Sequence, residues 1–270
     1  MSNVFNIKRF GKYLTYDLNN AWNYFGFSLL VLGIVPLIIF LFQQIFSLAF
    51  TQHLTDLPMW AKYTAIAITV AALVIVAPTK LYGRLTAKRA GSDWLMVPAS
   101  AFEKFLSMVI ILCLVVPAAF LAVLSACDLL LSLVPYYGDS AVLQGADALV
   151  QFKDFLHVEM ADVFTITGVG YSLVWISFCT WILSFALGAI CFKKSKAAKV
   201  ILCIILLESL ISILGMLFFT TFDIDLESFF ENMSVEKAQN WFNAMISIVT
   251  FVVLGALCGG IYARIKTLKH

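Results

Sequence analysis

Six long apolar runs are the feature of this sequence that most constrains its fold. A helix needs roughly 20 residues to cross the ~30 Å hydrocarbon core of a bilayer. Lipid offers no partner for free backbone N–H and C=O groups, so continuous apolar runs predict helices rather than barrel strands. The predicted spans are Phe27–Phe50, Tyr63–Pro78, Phe105–Leu133, Val163–Phe192, Val200–Phe219 and Trp241–Tyr262.

The composition fits a chain whose surface faces lipid. Hydrophobic residues make up 62% of the 270 residues and charged residues 13%, whereas soluble domains are about 45–50% apolar. We therefore predict an all-α, polytopic membrane protein with a six-helix transmembrane domain over residues 25–270. The preceding residues 1–24 alternate aromatic and basic side chains, which predicts an amphipathic helix lying in the membrane interface.

Basic residues are concentrated in alternate segments between the predicted spans. The amino terminus, the loop 80–104, the segment 193–199 and the carboxyl terminus together hold fifteen of the 18 lysines and arginines. The intervening segments hold only Lys62, Lys153 and Lys237. Cytoplasmic loops are enriched in Lys and Arg, so we expect both termini in the cytoplasm. The expected location is a bacterial inner (plasma) membrane.

The loop 80–104 combines a helix start with an apolar cluster. Ser100 and Glu103 form an S-x-x-E capping box, in which each side chain bonds the backbone N–H of the other, and Pro98 stands just ahead of it. One interpretation is a well-capped helix near the interface, and the other is a platform on which another protein docks. The apolar side chains of the loop are Leu95, Met96, Val97 and Phe102.

Glu208 is an acidic residue near the middle of the fifth predicted span. A charged carboxylate at that depth costs about 2.5–3.5 kcal/mol on insertion scales, so it is expected to face protein or water. Two interpretations stay open: contact with a substrate, proton or cation, or a hydrogen bond between helices. Gln43 and Gln44 in the first span are candidate partners.

Small residues recur four apart in several spans. Gly255 and Gly259 form a GxxxG pattern in the sixth span, and Ser184 and Gly188 repeat the spacing in the fourth. Small side chains at this spacing let helix backbones approach closely. We expect close packing within the bundle, with a seam between two copies as the alternative.

Enzyme signatures are missing from the sequence. It contains no GxxxxGK[ST] phosphate loop, no HExxH and no GxSxG. We therefore expect no enzymatic activity of the chain by itself, no cofactor, no metal site and no nucleic-acid partner.

The stretch Pro98-Ala-Ser-Ala-Phe-Glu103 resembles the Pro-x-Ser-x-x-Glu sequence that leads into the third span of the permease subunits of type 2 ABC exporters. The resemblance implies an amino-terminal elbow helix, six spans and a coupling helix in the loop 80–104. It also implies a separate soluble ABC-type ATPase as partner, and a permease that works as a homodimer or a pair. The docking residues implied are Leu95, Met96, Val97, Pro98, Ser100, Phe102 and Glu103.

Two other classes of function remain open from the residues alone. An ion- or proton-coupled carrier would use Glu208, and it would need no ATP. A non-transporting scaffold or sensor would use the acidic segments around Tyr136–Asp162 and Thr220–Asn240, which carry most of the acidic residues on the predicted outer side.

Overall fold

The computed structural model describes residues 5–86, 94, 96–144, 166–221 and 235–267. Regular structure within these ranges is helical, which confirms the all-α prediction. A 3-10 turn covers Gly83–Thr86, and a π-helical segment covers Ile111–Val115. The α-helices are α1 Ile7–Gly33, α2 Val35–Thr51, α3 Met59–Leu81, α4 Ala101–Ile110, α5 Val116–Leu131, α6 Ile166–Cys191, α7 Lys196–Thr221 and α8 Val235–Thr267.

Five helical stretches are long and apolar enough to cross a membrane. They are Ile7–Phe50, Met59–Leu81, Ala101–Leu131, Lys196–Leu214 and Ser247–Thr267. Helix α6 coincides with the fourth predicted span, but the apolar stretch described in it, Trp175–Cys191, is shorter. The chain thus has the length and composition of a multi-pass helical membrane protein, and the fourth span, with the total of six, stays a prediction.

Helix α1 continues through the boundary predicted at residue 24. Asn6 caps its start, since its side chain accepts from the backbone N–H of Lys8 at 3.0 Å. The helix then runs unbroken to Gly33, and a single turn at Ile34 leads into α2. Pro36 lies in the first turn of α2, where its missing N–H needs no partner. The amphipathic segment and the first span are therefore one long element with its break at residue 34.

The third span is a continuous helix that widens in the middle. Pro117 has no N–H to donate to the carbonyl four residues back, a common cause of helix distortion. Just before it, the backbone N–H of Val116 bonds the carbonyl of Ile111, five residues back. The π-helical segment therefore lies beside the proline, and its first three side chains, Ile111 to Cys113, are buried in the core.

Helix α6 lies at the centre of the bundle. It packs against α3, α8 and the π-helical segment. Gly188 of α6 lies so close to α7 that an added Cβ would overlap the side chain of Val200, which confirms the close approach predicted there. The fully buried core side chains include Leu73, Ala77, Met108, Ile111, Leu112, Ile182, Leu183, Ile190 and Ile261.

Helix α7 is the least covered element among the described residues. It packs mainly against α6, and its apolar side chains from Ile201 to Leu217 are mostly exposed. On α8, an added Cβ at Gly255 or Gly259 would meet no heavy atom of the described residues within 4 Å. The close packing expected of this pair inside the bundle is therefore not found in the described part of the chain.

Candidate functional site

The four segments that are rich in Lys and Arg meet at one end of the bundle, here called the basic end. The amide of Asn6 before α1 donates to Glu103 of α4 at 3.0 Å. Lys196 at the start of α7 donates to Thr86 after α3 at 2.6 Å. The ring of Tyr262 in α8 packs against the start of α4. The folded chain thus gathers segments that the sequence places far apart.

Glu103 fastens the start of α4 to α1. The capping box is confirmed: Glu103 N–H donates to Ser100 Oγ at 3.2 Å, and Ser100 N–H donates to Glu103 Oε2 at 2.8 Å. Arg9 adds a two-pronged ion pair, with Nε to Oε2 and Nη2 to Oε1 both at 2.8 Å. Glu103 is fully buried, and its two carboxylate oxygens accept from Asn6, Arg9 and Ser100. We call Asn6, Arg9, Ser100 and Glu103 the Glu103 latch.

Asp17 forms a second polar connection between α1 and α4, further along α1 from the Glu103 latch. It is buried in α1 and accepts from Ser107 Oγ of α4 at 2.7 Å and from the Tyr82 hydroxyl at 3.2 Å. Burial, with the Asp17 charge adding to it, raises the pKa of Tyr82 well above its usual value. The phenol therefore stays a neutral donor to Asp17, and the carboxyl group joins α1, α4 and the end of α3.

Trp94 anchors the described part of the loop 80–104. Its indole Nε1 donates to the Tyr13 hydroxyl of α1 at 3.0 Å. Lys104 Nζ donates to the Trp94 carbonyl at 2.8 Å and lies 4.4 Å from the centre of its ring. Tyr13 and Lys104 are both buried, so the loop is tied to α1 and α4 by contacts shielded from water.

The apolar side chains predicted for docking differ in exposure. Met96 is 77% exposed and Phe102 is 45% exposed, while Val97 is half-buried and Pro98 is exposed. The Phe102 ring packs edge-on against Phe5, with centroids 5.9 Å apart. Leu95 lies outside the described residues. An exposed apolar surface therefore remains at the basic end, directly beside the Glu103 latch.

The intramembrane polar residues are not brought together. Gln43 and Gln44 donate their side-chain amides to the carbonyls of Asp56 and Thr55, at 3.2 and 2.8 Å, and so brace the α2–α3 connection. Glu208 is exposed on α7, and neither glutamine bonds it. Within the described residues, the polar site predicted around Glu208 has no second member.

A buried cluster closes the opposite end of the bundle. Asp128 accepts from the Tyr137 hydroxyl, from Ser140 Oγ at 2.6 Å and from Val142 N–H at 2.9 Å. Lys62 is buried above the Tyr137 ring, 4.1 Å from its centre. The enclosed space beside them is about 10 Å³, room for about one water molecule. This cluster therefore joins α3, α5 and the following loop, and it leaves no space for a substrate.

The sequence predicted the capping box but not the partners, Asn6 and Arg9, that join it to α1. Arg9 and Glu103 are 94 residues apart, and Asp17 and Ser107 are 90 apart. Asp17 in an amphipathic segment gave no signal of burial. In the described part of the chain, no three His, Cys, Asp or Glu side chains are grouped as metal ligands.

The comparisons with known proteins do not assign the chain to a family. Family models, curated proteins and solved structures gave no match in any of the three searches.

Proposed function

We propose that this chain is the membrane-spanning permease subunit of an ATP-driven exporter, and that a separate soluble ABC-type ATPase docks on its loop 80–104. The observation that carries the proposal is the combination of an exposed apolar surface, Met96 and Phe102, with the Glu103 latch beside it, whose carboxylate is buried. Exposed apolar clusters on a loop that faces water mark contacts with other proteins.

The contacts around this loop suit it to transmit motion. A partner that pushes on Phe102 acts directly on the first turn of α4, which is fixed to α1 by Arg9 and Glu103. Trp94 and Lys104 link the loop to the same two helices. Because these contacts are buried or paired, displacement of the loop would move α1 and α4 together rather than fraying a helix end.

The orientation in this proposal follows from the distribution of charge. The segments at the basic end hold most of the lysines and arginines, and cytoplasmic segments are enriched in these residues. We place this end in the cytoplasm of a bacterial inner membrane, with six spans including α6 and both termini inside. A soluble ATPase would then have direct access to the loop 80–104.

A homodimer or pair of permeases would supply what α7 lacks in a single chain. Its apolar side chains can face lipid, but a carboxyl at the centre of a span needs a polar or protein environment. Glu208 is exposed in the single chain. A second permease packed on α7 would shield Glu208 from lipid and bring Ser209 and Ser212 of either copy within reach as partners.

The test introduces a charge at the docking surface. Phe102→Asp places a carboxylate where an apolar contact is required, and we expect it to abolish co-purification of an ATPase and stimulation of its hydrolysis. The variant should be extracted in mild detergent at wild-type yield, because Phe102 is 45% exposed and its loss opens no enclosed cavity.

The matched control is Lys194→Asp, which places the same carboxylate in the exposed α6–α7 loop at the same end of the bundle. It should retain partner binding and ATPase stimulation. Equal binding by wild type, Phe102→Asp and Lys194→Asp would remove the loop as the docking site. Absence of any Walker-type ATPase from the wild-type preparation would reject the exporter function itself.

A further inference from the structure

A basic pocket of about 520 Å³ opens at the basic end, beside α1. Four cationic side chains line it, and they come from three parts of the chain: the end of α3, the 3-10 turn, and the α6–α7 connection with the first residue of α7. None of the eight residues described as lining the pocket is acidic. The four cations are Lys80, Arg84, Lys193 and Lys196.

Three of the cations are held in position without being neutralised. Lys196 Nζ donates to the Gly83 carbonyl and to Thr86 Oγ1. The Arg84 guanidinium lies over the Tyr24 ring, 3.8 Å from its centre, and a cation over an aromatic face keeps its charge. Lys80 Nζ donates to a hydroxyl, Ser28 Oγ, at 2.5 Å. Each contact fixes a side chain while its positive charge remains.

The backbone around the pocket adds to this arrangement. Gly83 is buried, and a Cβ at this position would come within 3.2 Å of Lys196 Nζ, so glycine leaves space for the ammonium group. Lys196 is also the first residue of α7, and the amino terminus of a helix carries a partial positive charge. The helix terminus adds to the positive potential at Lys196, and the glycine leaves the ammonium group room beside it.

Cations gathered in this way repel one another unless an anion lies between them. The positive charge that sets the orientation of a membrane protein can come from lysines spread over the surface. It does not explain why four cationic side chains converge on one cavity. A phosphate group matches the lining, because it accepts hydrogen bonds in several directions from guanidinium, ammonium and hydroxyl donors. Basic pockets between helices at the cytoplasmic membrane surface are typical sites for anionic lipid head groups.

We infer that this basic pocket binds a phosphate group, carried either by the head group of an anionic phospholipid or by a soluble phosphorylated molecule. The site is distinct from the docking surface at Met96 and Phe102. It requires neither an ATPase partner nor transport, and it stands or falls independently of the exporter proposal.

The experiment measures thermal unfolding of the purified full chain in a neutral detergent. The probes are dioctanoyl phosphatidylglycerol, dioctanoyl phosphatidylcholine and sodium pyrophosphate, each titrated separately. We expect phosphatidylglycerol or pyrophosphate to raise the Tm in a saturable way, since a ligand that binds only the folded state stabilises it. The zwitterionic phosphatidylcholine should have a much smaller effect.

The variant Arg84→Gln/Lys193→Gln removes two of the four cations and leaves Lys196 in place. Its apparent Kd for the active probe should rise by about tenfold or more, because each cation near the membrane surface contributes substantially to binding an anion. The control Lys194→Gln/Lys266→Gln removes the same charge from exposed positions at the same end. It should bind as the wild type does.

The outcomes separate the two sources and the competing explanation. A response to phosphatidylglycerol alone identifies a lipid head group, and a response to pyrophosphate identifies phosphate chemistry that a soluble molecule can supply. The inference is overturned if neither probe raises the Tm of the wild type. It is equally overturned if the pocket variant and the control variant bind with the same Kd, since binding would then depend on net charge alone.

Discussion

Asp17 is a buried carboxyl in α1 that accepts hydrogen bonds from two other elements. Tyr82 and Ser107 both donate to it, and both are themselves buried. Each hydroxyl therefore depends on this one acceptor. At the residue scale, the free energy at stake is that of leaving buried donors unpaired rather than that of one hydrogen bond.

We expect Asp17→Ala to destabilise the protein by about 1–3 kcal/mol, because it leaves the Tyr82 and Ser107 hydroxyls without their acceptor. The measurement is the midpoint of unfolding in mixed detergent micelles. Asn19→Ala, an exposed change two residues further along α1, should shift stability by less than about 0.5 kcal/mol. Equal midpoints for the two variants would show that Asp17 does not hold the three helices together.

At the scale of elements, a glycine matters to helix packing only where another helix lies against it. Gly188 of α6 faces Val200, a buried residue of α7, and leaves no space for a Cβ. An added Cβ at Gly259 of α8 would meet open space among the described residues. A branched valine with little rotamer freedom cannot withdraw as a flexible side chain would.

Gly188→Ala should therefore separate α6 from α7 and cost about 1–3 kcal/mol, the usual penalty of overpacking. Gly259→Ala makes the same chemical change on α8 and should be neutral or slightly stabilising, since alanine favours helix over glycine. Midpoints of unfolding for the two purified variants check the difference. A neutral Gly188→Ala would mean that α7 does not rest on α6 as described.

At the scale of the whole molecule, the basic end and the end that contains the Asp128 cluster lie on opposite sides of the bundle. The Glu103 latch and the Asp128 cluster lie at opposite ends of the continuous α4–α5 helix, about 38 Å apart at 1.5 Å per residue. The α2–α3 connection belongs to the Asp128 end, where Leu57 N–H donates to the Tyr136 carbonyl at 2.9 Å. Successive connections in the described residues thus alternate between ends, as a multi-pass chain requires.

We expect reporter fusions placed after Lys88 and after Lys196 to give cytoplasmic signals. Fusions near Asp147 and Glu231 should give signals from the opposite side, because the basic segments stay inside. Paired reporters, one active only in the cytoplasm and one only outside it, provide the measurement. A single reversed signal, or two adjacent fusions on the same side, would break the six-span topology.

The helices and the start of α4 were predictable from the sequence because both are local properties. An apolar run long enough to cross a membrane must satisfy its own backbone, and this requirement alone predicts a helix. The capping box at Ser100 and Glu103 joins residues three apart, so its geometry follows once the helix begins. The grouping of basic segments at one end followed from their alternation between the predicted spans.

Which side chains meet across the bundle was decided only by the tertiary structure. A GxxxG pattern permits close approach but does not create a neighbour, so Gly255 and Gly259 have open space while Gly188 is crowded. Likewise, Arg9 gave no sign that it pairs with Glu103, because the partner depends on how α1 lies against α4. The sequence by itself determined the helices and the charge of each end, since these depend on neighbouring residues and on the solvent. The junctions and the basic pocket depend on the relative positions of helices, and those are set by packing of the whole chain.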